Sequence, residues 1–265
     1  MSLDIPAAIE DGLARLPTRV AAILFVAYLV VGALSTVAGQ TLGLAVQETL
    51  RRTFQGSNAV PPSESMAAGP MADTSPLALD VGPVVAVALF LIQIVLAQAV
   101  GVVTVRTFVG QARRSFPDDV DRRFGWVLVN ALVAGFVVNV LIFVGAIFLI
   151  VPGIYVAVAL YFVQFEVIVE DKSVVDALRD GWALTGGQRL PLFFLLVVLF
   201  AIGLAGAAPG YVLGLVGAPQ LAVVATSVAV GSVTGLLTTA IGARAYVQLK
   251  PDGWAPAGDA SPFKY

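Results

Sequence analysis

The sequence predicts an all-α integral membrane protein with six transmembrane helices, both termini on the cytoplasmic side. Three observations predict it. Residues 124–165 run for 42 positions without a charged side chain. The whole chain is 58% hydrophobic and 12% charged, where a soluble domain carries about 25% charged residues. The basic residues also segregate onto alternate connecting segments, thirteen on one side against two on the other.

Length gives the number of spans. A single helix rises about 1.5 Å per residue, so the 42-residue run would measure ~63 Å. A bilayer core is ~30 Å thick. The run therefore folds back on itself, and Pro152-Gly153 is the expected turn, since Pro removes a donor and Gly accepts turn geometry. Residues 190–243 are also uncharged and also read as a pair, breaking at Pro209-Gly210, with Gly217-Ala218-Pro219 following. Residues 20–47 and 81–105 supply one span each. One polytopic domain over 1–265 results, with spans at about 20–45, 81–105, 125–150, 153–169, 190–208 and 219–243.

Charge orients the spans. Six crossings place residues 1–19, 106–123, 166–189 and 244–265 together, and only Arg51 and Arg52 fall on the other side. By the positive-inside rule the larger set is cytoplasmic. Reading either double run as one span would scramble this partition, so the charge pattern supports the fold-backs independently. A multi-pass protein of the plasma membrane is expected. The first apolar run is too long for the core of a signal peptide, so it is expected to stay as an anchor.

The connections come next. Residues 48–80 form the outer loop, with Pro61, Pro62, Pro70 and Pro76. An irregular, solvated linker is expected there, after a helix continuing to Phe54. Residues 173–185 predict a short interfacial amphipathic helix between the fourth and fifth spans. Ser173 and Asp176 make a capping box. Val174, Val175, Leu178, Gly181, Trp182 and Thr185 share a face, and Gly186-Gly187 stops the helix. Val174, Leu178, Arg179 and Trp182 are the candidate surface for docking lipid or a partner, with Trp182 at headgroup level. A connector that clamps the spans is the alternative. In the loop 106–123, Arg113, Arg114, Arg122 and Arg123 are candidate contacts for anionic headgroups. Ala8-Ile9-Glu10-Asp11-Gly12-Leu13 before the first span echoes Ala177-Leu178-Arg179-Asp180-Gly181-Trp182 before the fifth, a hint of duplicated hairpins.

Composition also limits the chemistry. The chain has no Cys and no His. Disulfides, thiolate metal sites and Ser-His or Cys-His pairs are thereby excluded, and so is the commonest general base. No cofactor or metal is expected, no basic tract points to nucleic acid, and the chain reads as non-enzymatic. Polar residues within the spans are costly and demand a reason: Gln93, Gln98, Asn130, Asn139, Gln164 and Glu166. Gln93 and Gln98 lie about 140° apart around their helix, and the two Asn sit on opposite sides of theirs. No stripe forms for a proton or ion relay, so hydrogen bonds between helices are the expected use. Glu166, close to Glu170, Asp171 and Lys172, is expected to be solvated at the cytoplasmic edge. Small-residue spacings such as Gly39-x3-Gly43 and Gly206-x3-Gly210 predict close helix approach.

Two stretches carry a resemblance. They are Val151-Pro152-Gly153-Ile154-Tyr155 and the later run of Val169-Glu170-Asp171 with Ala177, Leu178, Gly181, Trp182, Leu184 and Gly187. There the chain resembles multi-spanning proteins related to the membrane domain fused to some glycerophosphoryl diester phosphodiesterases, stand-alone archaeal members included. The resemblance implies a six-helix membrane domain without an activity of its own. The phosphodiesterase chemistry belongs to a separate soluble domain, whose acid–base residues a chain without His lacks. The resulting expectation is a membrane scaffold or accessory component whose cytoplasmic face engages the lipid bilayer or a membrane or cytoplasmic protein partner. A small-solute transporter or exporter is the alternative.

Overall fold

The computed structural model describes residues 3–55, 75–110, 116–117, 119–251 and 253–256. Among them the chain forms nine helices and no strand. They are α1 (Ile5–Leu13), α2 (Arg19–Gln55), α3 (Pro83–Val109), α4 (Phe124–Phe148), α5 (Ile150–Ala159), α6 (Val163–Glu170), α7 (Val174–Leu184), α8 (Arg189–Leu215) and α9 (Gln220–Leu249). Six segments are long and apolar enough to cross a membrane; α5 and α6 together make the fourth, Ile150–Glu170. The all-α, six-span class expected from the sequence is the one observed.

The turns differ from expectation in an instructive way. The first fold-back is made by a single extended residue, Leu149, with φ −162° and ψ 143°. Pro152 and Gly153 lie in the first helical turn of α5, where a missing N–H costs nothing. Gly153 serves packing: a Cβ there would stand 2.9 Å from the Ala146 nitrogen across the hairpin. Likewise Pro209 and Gly210 do not end α8, which runs on to Leu215. A Cβ on Gly210 would stand 2.2 Å from Ser227 Oγ. The second reversal falls at Gly217, whose φ of +72° suits glycine. There the Ala218 N–H donates to Leu213 O and the Gly217 N–H to Gly214 O, the double closure of a Schellman cap.

Contacts divide the chain into two units. The first comprises Met1–Val26, Gln98–Leu204 and Val233–Tyr265. Its core centres on the fourth span. Half of that span's apolar window is buried, against 22% or less in every other span. Leu160, Phe162, Val163, Val167, Ile168 and Val169 are buried almost without interruption, so the second half of this span is enclosed on all sides. Two short helices help enclose it and its neighbour α9. α7 packs on α6 through Ala177 and Gly181, and α1 packs on α9 through Ala8 and Gly12. A Cβ at Gly181 would meet Val163 atoms at 2.9–3.3 Å, and one at Gly12 would meet Ile241 atoms at 2.8–3.1 Å. The N-caps correspond too: Asp4 accepts from the Ala7 N–H, and Ser173 from the Asp176 N–H. Cap, Ala, Asp and Gly thus recur at one spacing, which gives the sequence echo a shared structural role.

The second unit comprises Ala27–Ala97 and Ala205–Ser232. The segment returning to α3 is pinned to α2, where Gln40 Oε1 accepts from the Leu77 N–H at 2.9 Å and Thr41 Oγ1 from the Leu79 N–H at 3.0 Å. Ser35 donates to Gln93 Oε1 at 2.6 Å. Helix α2 continues to Gln55, as expected, and residues 56–74 of the outer loop lie outside the described set. Gly39 and Gly43 have no heavy atom within 4 Å of an added Cβ. That spacing therefore does not mark a close crossing here.

Candidate functional site

Charged residues of the first unit converge at the C-terminal end of α6. Glu166 is 1% exposed. Its two carboxylate oxygens accept from Lys172 Nζ at 2.5 Å, Lys250 Nζ at 2.7 Å and the Tyr246 hydroxyl at 3.1 Å. The expectation of a solvated Glu166 is thus corrected. The chain supplies this carboxylate with two lysines and a phenol, which offsets the cost of removing it from water. Lys250 also reaches Glu170 at 3.0 Å, and the Trp254 indole N–H donates to Glu170 at 2.7 Å. These bonds tie Lys250 and Trp254 to the fourth span.

A second cluster closes the same helix end. The last carbonyls of an α-helix lack intrahelical donors. Arg106 Nε donates to Ile168 O at 2.9 Å, and Arg122 Nη2 approaches Val169 O at 3.5 Å. Arg106 Nη1 also donates to Val120 O and Arg122 O. Asp171 sits just past the helix with φ +53°, a left-handed conformation costly for a residue with a Cβ. Its carboxylate meets Arg106 at 2.7 Å and Arg122 at 3.0 Å, which holds it there.

Among the described residues outside the spans, two groups are shifted in pKa. Burial alone would depress the Lys172 ammonium, but hydrogen bonds to Glu166 and Asp180 outweigh it and hold the pKa above the ordinary lysine value. The Asp180 carboxyl is held below its ordinary value, chiefly by the hydrogen bond from Lys172.

The expected site residues separate into distinct roles. Val174 and Leu178 are half-buried, whereas Arg179 is exposed. Trp182 is 42% exposed, but it is engaged within the chain. Its ring meets Tyr155 edge-on at 5.9 Å, and the Arg189 guanidinium lies 4.5 Å from its centroid. The outward face of α7 is instead Val175, Arg179 and Trp182, because Ala177 and Gly181 take the inward face. Arg122 is half-buried and pairs with Asp171. Arg123 is exposed, 5.9 Å from the Trp126 centroid at the start of α4. Arg113 and Arg114 lie outside the described residues.

Amide side chains in the spans are satisfied locally. Gln98 donates to Gln164 at 3.3 Å, and Gln164 donates to Ala131 O at 3.2 Å, bonds between helices of the kind expected. Asn130 and Asn139 differ. Each donates to a carbonyl four residues back on its own helix, Trp126 O and Gly135 O.

Sequence reasoning passed over Arg106, Tyr246, Lys250, Trp254 and Arg189 as site residues. One signal was available: the chain has few lysines, and two of them, Lys172 and Lys250, follow the apolar ends of the fourth and sixth spans. The family model of a domain of unknown function, DUF7847, matches residues 3–249. No curated protein and no solved structure matches the chain.

Proposed function

Since the chain belongs to the DUF7847 family, whose description carries no activity, function has to be argued from geometry, and we propose a non-catalytic multi-pass membrane scaffold. Its cytoplasmic face engages the headgroup layer or a partner protein through the exposed side of α7 and the arginines at the starts of α4 and α8. The observation that carries this reading is how the polar groups of the spans are used. Gln93, Gln98, Gln164 and Glu166 each bond another side chain of the protein, and both Asn bond their own helix. Polar groups consumed in this way hold helices together. A plasma-membrane location with both termini in the cytoplasm accompanies the proposal, supported by the thirteen-to-two charge split. Kinship with phosphodiesterase-linked membrane domains is part of the same reading, supported by the Val151–Tyr155 and Val169–Trp182 sequence motifs.

The absence of native cysteine makes the test direct. Gln98→Cys and Gln164→Cys, reconstituted in liposomes, are expected to resist a membrane-impermeant maleimide from both sides and to react after denaturation. Labelling of either position in the intact protein overturns the scaffold reading in favour of a water-filled path.

One observation favours a second reading. In the second unit a cleft of about 300 Å³ is lined by Tyr28, Thr36, Ser227 and Ser232 together with Val31, Val228 and two glycines. Under a transporter reading this cleft admits a small polar solute. Ser227→Cys, added to the same labelling series, would then react from one side and be protected by the solute.

A further inference from the structure

Three of the arginines described in the first unit pair with carboxylates. Arg106 and Arg122 share Asp171, and Arg244 lies 3.5 Å from Asp11. Arg189 has no carboxylate partner among the described residues. Its guanidinium lies against two rings that touch edge-on, 4.5 Å from the Trp182 centroid and 5.0 Å from that of Tyr155. A guanidinium carries five N–H donors, and the hydrogen bond recorded for this one goes to the Tyr155 hydroxyl. Its Nε is inaccessible, which leaves the Nη groups to meet a ligand. A cation fixed in place with most of its donors unused is set up for an anionic ligand.

The surroundings specify the ligand further. Tyr155 and Trp182 are 45% and 42% exposed, and amphipathic rings of this kind collect at the headgroup level of a bilayer. Gly187, just before Arg189, has open space where a side chain would stand. Beyond Arg189, Leu190, Phe194 and Val197 are exposed at i, i+4 and i+7, one continuous apolar face of α8. A charged head at Arg189 with an apolar track beside it matches an amphiphile better than a free anion.

We propose that Arg189, Tyr155 and Trp182 form a binding site for the phosphate of an anionic phospholipid, whose acyl chain lies along Leu190, Phe194 and Val197. The site rests on the scaffold reading and gives its headgroup contact a defined position. Arg189 supplies the charge, and the two rings fix its plane for bidentate contact with phosphate oxygens.

The test uses the purified full chain in detergent, with lipid binding followed by native mass spectrometry. Phosphatidylglycerol, phosphatidylcholine and glycerol 3-phosphate are the probes. Wild type is expected to bind phosphatidylglycerol at least tenfold more tightly than phosphatidylcholine. Arg189→Gln should lose about tenfold for phosphatidylglycerol and little for phosphatidylcholine, and Arg189→Lys should lose less. Displacement of the lipid by equimolar glycerol 3-phosphate would show a soluble phosphate ester to be the ligand and overturn the lipid assignment. Unchanged binding by Arg189→Gln would overturn the site while the scaffold reading stands. Failure of wild type to prefer the anionic lipid would remove both the site and the headgroup half of that reading. Should Arg189→Gln not fold, Trp182→Phe takes its place. It is expected to keep the thermal unfolding midpoint and weaken phosphatidylglycerol at least threefold; an unweakened Trp182→Phe counts against the site.

Discussion

Glu166→Ala would leave the Lys172 and Lys250 ammonium groups facing each other across an empty space. Breaking a buried ion pair from one side costs about 3–5 kcal/mol, because the remaining charge stays desolvated. Lys172 keeps partial access to water and retains Asp180, and Lys250, only 9% exposed, retains Glu170. The loss should therefore fall near the lower end, about 3 kcal/mol, and Glu166→Gln should lose less because it keeps an acceptor. Thermal unfolding of the detergent-purified variants measures both, and equal midpoints for wild type and Glu166→Ala would show that the network contributes nothing. Burial of Glu166 was not legible in the sequence. Four of the seven residues from 166 to 172 are charged, the ordinary mark of a span leaving the bilayer. The lysine that completes the site, Lys250, lies just past the end of α9, 84 positions further along.

At the scale of elements, α1 and α7 ask for the same experiment. A methyl added at Gly12 or Gly181 would meet the backbone of the neighbouring helix, at Ile241 and Val163, inside 3.4 Å. Backbone cannot rotate away as a side chain can, so each Gly→Ala change is expected to cost about 1–3 kcal/mol. Gly39→Ala, in open space within a helix, should be neutral or gain up to about 1 kcal/mol. Unfolding midpoints of the three variants decide the matter, and a Gly39-like result at both Gly12 and Gly181 would reject the shared packing role. The helices themselves were legible. The capping box and the Gly-Gly stop placed α7 within a residue of where it lies. Its inward face was not, because a pattern of apolar side chains points to Leu178 and Trp182, whereas close helix packing selects the smallest ones, Ala177 and Gly181. The turns misled for a related reason. Pro-Gly reads as a break, but one extended residue at Leu149 suffices to reverse the chain, and the glycines at 153 and 210 are used for contact.

For the whole molecule, the charge asymmetry makes a statement about sidedness that can be read in intact cells. Asp80→Cys and Ala255→Cys lie at exposed positions on segments assigned to opposite faces. An impermeant thiol reagent added outside should label Asp80→Cys at once and Ala255→Cys only after the membrane is opened. The reverse pattern would invert the topology and place the arginine-rich loops outside. The six spans were readable because apolar length and the ~30 Å bilayer core leave little freedom. The ion network and the aromatic cluster around Arg189 were not, since each joins residues brought together only by tertiary packing.

The tip of the α4–α5 hairpin bears on how the protein is made. Phe148, Leu149, Ile150 and Val151 are 68–78% exposed, and no polar side chain lies among them. A reversal normally presents water-loving groups that must be carried through the lipid as a membrane protein is inserted. Here the leading edge is itself hydrocarbon. The hairpin can enter the bilayer tip first, as one partitioning step, without transferring a single charge. The charged residues at its base stay where the ribosome delivered them, and Glu166 and Glu170 meet Lys250 only when the last helix arrives.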